Sequence, residues 1–187
     1  MRRTVFDNAS QGPIWLGYRL GHIQGDSRIF RAILYNKGAL VLHMLRSLVG
    51  DETFFRGVRE LYTNSRFTKI GTEEVRATFE KVSGQSLEVF FERWVHESTI
   101  PTFRWTQRTE GSDLVLTFAQ ATTPETPFSL PVPVTLTYVD GSVESRVLAV
   151  TGPSAEERIP LPKGLRSVAV DPDGIVLARF AAGRKTP

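Results

Sequence analysis

The 187-residue sequence predicts an α+β protein, a helical subdomain of about four helices followed by a small antiparallel β-sandwich. Three observations carry that prediction. Apolar residues recur at helical spacing through residues 31–96 and alternate singly, as in strands, from about residue 114 onward. Ten of the eleven prolines lie at or beyond position 101, which suits strand ends and edges rather than helices. The turn sequences Asp140-Gly141 and Asp171-Pro172-Asp173-Gly174 punctuate the second half. Because the period changes at Ile100-Pro101, the expected domains are residues 1–98 and 99–187.

The first predicted helix carries Leu34, Val41, Leu45 and Leu48 on one face and stops at Gly50-Asp51. Phe54, Val58, Leu61 and Tyr62 form the stripe of a second. Thr72 reads as the N-cap of a third, with Glu73 and Glu74 favouring the positive end of its dipole and Gly84 closing it. Ser86 reads as the cap of a fourth, bearing Leu87, Phe90, Phe91, Trp94 and Val95. Each helix is one-sided and needs a partner surface. Strands are expected over Leu114–Phe118, Val132–Tyr138, Val143–Val150 and Ile175–Phe180, about seven in all, with a disordered tail from Ala181 to Pro187.

Composition narrows the function classes. The chain is 41% apolar and 23% charged, as a globular protein is. Its net charge of +3 comes from residues 1–99, with 14 basic and 11 acidic side chains, since residues 100–187 carry nine of each. No basic run is interleaved with aromatics, so nucleic acid is not an expected partner. The absence of cysteine removes disulfides, thiolate metal sites and cysteine nucleophiles. No apolar run approaches the roughly 20 residues of a membrane span. Met1-Arg2-Arg3 leads directly into Thr-Val-Phe-Asp-Asn, an abrupt start expected of a chain entered part-way through a longer protein.

The opening of the first helix is unusual. Tyr35-Asn36-Lys37-Gly38 places two polar residues and a glycine where a core-filling helix would spend none, and Gly costs about 1 kcal/mol relative to Ala. Asn36 and Lys37 read as surface groups at a helix start. The stretch continues as Ala39, then Val41-Leu42-His43-Met44-Leu45-Arg46, Gly50-Asp51-Glu52-x-Phe54, Ser83-Gly84, Phe90-Phe91-x-x-Trp94-Val95 and Ile100-Pro101. In that order these elements resemble the zinc aminopeptidases of the aminopeptidase N type (gluzincin metallopeptidases), in the C-terminal part of the catalytic domain and the β-sandwich behind it. The resemblance implies that Tyr35 is a catalytic residue, donating a hydrogen bond to the oxyanion of the tetrahedral intermediate as peptide bonds at peptide N-termini are hydrolysed. It also implies a close backbone approach at Gly38. Gly12-Pro13-Ile14-Trp15-Leu16-Gly17 reads equally as a lining of the substrate groove or as a packed loop.

The metal half of such a site is not in the sequence. The family holds zinc with H-E-x-x-H on one helix, two histidines sharing a face and the glutamate activating water. The three histidines here are His22, His43 and His96. His96-Glu97 begins the motif, but Ile100 stands in place of the second histidine. Zinc is therefore the cofactor of the full-length family, and none is expected to bind this chain alone. An upstream zinc-bearing segment and a peptide substrate are the expected partners, and the isolated chain is expected to be inactive. The competing reading is a non-catalytic interaction or scaffold module derived from the same family.

Overall fold

The computed structural model describes residues 1–17, 20–23, 25–121 and 127–183. The chain divides into two compact units, Met1–Thr99 and Ile100–Pro187. The first contains α1 (Arg2–Asp7), α2 (Leu20–Ile23), α3 (Ser27–Phe30), α4 (Gly38–Val49), α5 (Asp51–Asn64), α6 (Thr72–Ser83) and α7 (Glu88–Phe91). Two π-helical segments extend them: Arg31–Lys37 joins α3 to α4, and Glu92–His96 continues α7.

The first predicted helix therefore starts earlier, at Ser27. Asp26 caps it, its carboxylate accepting from the Arg28 and Ile29 N–H groups at 3.0 and 3.1 Å. Four of its buried positions, Ile33, Lys37, Val41 and Leu45, recur every four residues, with Ala32 and Met44 buried beside them. That repeat exceeds 3.6, so the stripe would drift around an unbroken α-helix. The wider turn of the π segment takes up part of the drift and keeps Ile33 and Lys37 on the inner face.

Two expected caps shift. The N-cap of α6 is Gly71, whose N–H donates to Glu74 Oε2 at 2.8 Å, and Thr72 is the first helical residue. Leu87, not Ser86, precedes α7, and its N–H is taken by Glu80 Oε1 at 2.8 Å. Gly84 ends α6 in the left-handed region at φ 69°, as a C-terminal glycine should.

The second unit has seven described strands: β1 (Thr102–Glu110), β2 (Asp113–Gln120), β3 (Leu130–Tyr138), β4 (Val143–Val150), β5 (Ser154–Pro160), β6 (Leu165–Val170) and β7 (Arg179–Ala182). They form a four-stranded sheet in the order β5-β2-β1-β7 and a three-stranded sheet in the order β4-β3-β6. β3 buries every second residue from Leu130 to Tyr138, the mark of a strand with one inward face. Pro131 and Pro133 sit in this central strand, ahead of Val134, where pairing with β6 starts. On that side no ladder N–H is lost.

Among the described residues all the pairings are antiparallel except β1 with β7, which run parallel from Thr102↔Arg179 to Trp105↔Ala182. The expected strand over Ile175–Phe180 is displaced. Asp171 Oδ1 accepts the N–H groups of Ile175 and Val176 at 2.7 and 3.2 Å, removing donors that a ladder would need. Val176, Leu177 and Ala178 are buried without being in a strand, and β7 begins only at Arg179. Ala181 and Ala182, expected to be disordered, belong to that strand. The rest of the expected tail, from residue 184, lies outside the described residues.

Candidate functional site

Tyr35 lies in the π segment between α3 and α4 and is 66% exposed. Its ring meets Phe30 with centroids 5.9 Å apart and planes tilted by 53°. Together with Ser27, Arg31 and Asn36 these two rings line a shallow depression of about 510 Å³. No hydrogen bond joins the Tyr35 hydroxyl to another described residue, so the O–H stays available to a ligand.

Trp15 is not among the residues lining that depression. Its backbone N–H donates to the Val95 carbonyl at 2.9 Å, and its ring lies 5.7 Å from that of His96. The 12–17 stretch thus packs against the end of the α7 extension. Leu16 enters the core with Ile23 and Ile33, although Trp15 itself stays 58% exposed.

Lys37 overturns its expected place on the surface. It is 1% exposed, and Nζ donates to the Glu97 carbonyl at 2.7 Å. Burial pushes its pKa down to about 8, and the negative charge of Glu97 offsets part of that shift. The sequence carried a signal for this: Lys37 stands four residues after Ile33 and four before Val41, on the apolar stripe itself. Asn36 is half-buried at the rim of the depression. Gly38 also departs from expectation. Its φ is an ordinary −55°, and a Cβ built on it meets nothing within 4 Å. It opens onto an apolar hollow of about 210 Å³ beside Val41, Phe91 and Val95.

Among the described residues no three His, Cys, Asp or Glu side chains come together as a metal site. His22 and His43 are exposed on separate helices. Glu97 follows the helix in extended conformation, and its carboxylate is held by Arg93 Nη1 at 2.7 and 2.8 Å. His96 and Glu97 therefore do not share a helical turn, and the residues present do not fit a zinc ion.

Residues 8–94 match the peptidase family M1 domain. This part of the chain is similar to the M1 aminopeptidases. The M1 segment is 30% identical to aminopeptidase N of Streptomyces lividans over 90 residues, which are 48% of this chain and 10% of the relative. It is also 30% identical over 82 residues to aminopeptidase M1-A of Oryza sativa subsp. japonica, covering 44% and 9%. The fold agrees with the crystal structure of Legionella pneumophila aminopeptidase A in complex with aspartic acid. That comparison has a TM-score of 0.72 at 15% identity and covers 85% of this chain and 19% of the other. The stretches that align thus amount to about a tenth of the length of these curated relatives, and the M1 assignment describes a partial domain.

Proposed function

We propose that this chain supplies the oxyanion-binding phenol of a zinc metallopeptidase that removes residues from peptide N-termini. On this reading residues 1–98 are the C-terminal helical part of the catalytic domain, and residues 99–187 are the β domain behind it. A separate zinc-bearing segment is the catalytic partner, and the substrate is a peptide with a free amino terminus.

The observation that carries the reading is the placement of Tyr35. It belongs to a Tyr-x-Lys-Gly element inside the M1-matched residues, its ring faces outward, and its hydroxyl has no partner among the described residues. A phenol is protonated near neutral pH and can donate its O–H. When a peptide carbonyl becomes tetrahedral its oxygen gains negative charge, so that hydrogen bond strengthens toward the transition state and lowers the barrier. Phe30 at the ring's side restricts its rotation, and Arg31 places a positive charge in the same depression.

The test is to replace the matching part of Streptomyces lividans aminopeptidase N with this 187-residue chain and to compare Tyr35 with Tyr35→Phe. The expected result is a kcat lowered roughly 10²–10³-fold with zinc content unchanged, the size of effect seen when one oxyanion donor is removed. A Tyr35→Phe chimera that keeps its full kcat would make Tyr35 an ordinary surface aromatic.

A further inference from the structure

Lys37 and Tyr35 are two positions apart on one helical segment and point in opposite directions, with exposures of 1% and 66%. Each helical residue turns the side-chain direction by roughly 100°, so two positions separate faces by about half a turn. Lys37 is therefore on the back of the turn that carries the phenol on its front.

What Lys37 meets there is the end of another helix. Glu97 is the C-cap of the α7 extension, and its N–H still closes that extension onto Glu92 O at 3.1 Å. The last carbonyls of a helix lack intrahelical partners and form the negative end of its dipole, so an ammonium is a fitting cap. Arg93 holds the Glu97 side chain from the same helix and leaves the Glu97 carbonyl to Lys37. Trp15 N–H fastens Val95 O two residues earlier. The acceptor is thus fixed on both sides.

We propose that Lys37 is a positioning residue for Tyr35: its ammonium pins the 31–37 turn to the Glu97 carbonyl and so sets the rotation at which the phenol faces outward. The inference rests on Tyr35 being the working phenol, and Lys37 itself touches no substrate. A side chain that merely filled the core would be replaceable by an apolar one of equal length. A clamp requires the charge and its donors.

Two variants separate these roles in the 187-residue chain, Lys37→Met, which keeps length, and Lys37→Arg, which keeps charge. Amide hydrogen exchange in Lys37→Met should rise at least tenfold over residues 31–38 and 96–98 while α5 and α6 keep their protection, and Lys37→Arg should restore most of it. Unchanged exchange over 31–38 overturns the clamp. Loss of protection spread evenly over residues 1–99 overturns it too, since Lys37 would then be a general core residue.

The chimera supplies the second readout. Lys37→Met should lower kcat about tenfold at constant KM, and the loss should vanish in a Tyr35→Phe background. A loss that instead multiplies with that of Tyr35→Phe defeats the positioning role but leaves the proposed function standing. Retention of full kcat by Tyr35→Phe defeats the proposed function and leaves the exchange experiment to decide the clamp.

Discussion

The ammonium of Lys37 and the backbone carbonyl of Glu97, 60 residues apart in sequence, meet at 2.7 Å inside the helical unit. Burial lowers the Lys37 pKa from 10.5 to about 8. The sign follows from proton counting. Between about pH 8 and 10.5 the unfolded chain holds this proton and the folded chain has released it, so this group makes stability rise with pH. Below pH 8 both states are charged and the penalty is constant, of order 3 kcal/mol at 1.36 kcal/mol per unit. Urea denaturation of wild type and Lys37→Met at pH 7, 8, 9 and 10 should give a difference that changes across this window in wild type's favour. A difference independent of pH would mean that Lys37 titrates as a solvated lysine.

Two helical glycines should respond in opposite ways to the same substitution. A methyl at Gly38 enters open space, so Gly38→Ala should stabilise the unit by roughly 0.5–1 kcal/mol through lower unfolded-chain entropy. A methyl at Gly57, in the middle of α5, would stand 2.7 and 2.9 Å from ring carbons of Phe79, itself 1% exposed. Gly57→Ala should therefore cost on the order of 1–3 kcal/mol. Thermal melts of the two single variants decide the matter, and equal shifts would contradict the packing of α5 on α6.

Tyr35→Phe should leave folding intact. The ring keeps its contact with Phe30, and the hydroxyl that is lost has no partner among the described residues. The expected change in unfolding free energy is within about 0.5 kcal/mol, as for other exposed positions. A larger loss would show that the hydroxyl has a structural role, and would weaken any kinetic effect as evidence of catalysis.

Purified 187-residue protein should hold no stoichiometric zinc, and dialysis against a chelator should leave its melting temperature unmoved. Among the described residues no three His, Cys, Asp or Glu side chains gather as a metal site, and the Glu97 carboxylate is taken by Arg93. Elemental analysis finding one tightly bound zinc per chain would overturn this expectation.

Asp171→Ala should loosen the second unit. The aspartate holds φ at 47° and accepts two backbone N–H groups through Oδ1. Leaving those donors unpaired next to buried Val176 should cost about 1–3 kcal/mol. Gly174 N–H, bonded to the Asp171 backbone carbonyl, should keep its protection, so a loss confined to residues 175–182 in exchange measurements is the expected pattern.

Much of this protein is written in short stretches. The stripe of Val41 and Leu45, the stop at Gly84 and the Asp140-Gly141 turn, with Gly141 at φ 85°, depend on backbone sterics and on a period that any eight residues display. The alternation of β3 was legible for the same reason. The Tyr-x-Lys-Gly element pointed to Tyr35 and to a family, and residues 8–94 match that family.

Other features had no local signature. The parallel pairing of β1 with β7 joins Thr102 to Arg179, and the strand expected from Ile175 was deferred because Asp171 took its N–H groups. Lys37 is the sharpest case. A lysine in an apolar stripe has two outcomes, exposure at the helix edge or burial against a compensating partner. Desolvation of an ammonium costs several kcal/mol and favours the first outcome. The second prevailed because the folded chain brings it a helix C-terminus, with its unpaired carbonyl and the charge of Glu97, from 60 residues away. The sequence by itself determined that a cation lies on this face. Only the tertiary structure, by delivering the acceptor, decided that it is buried.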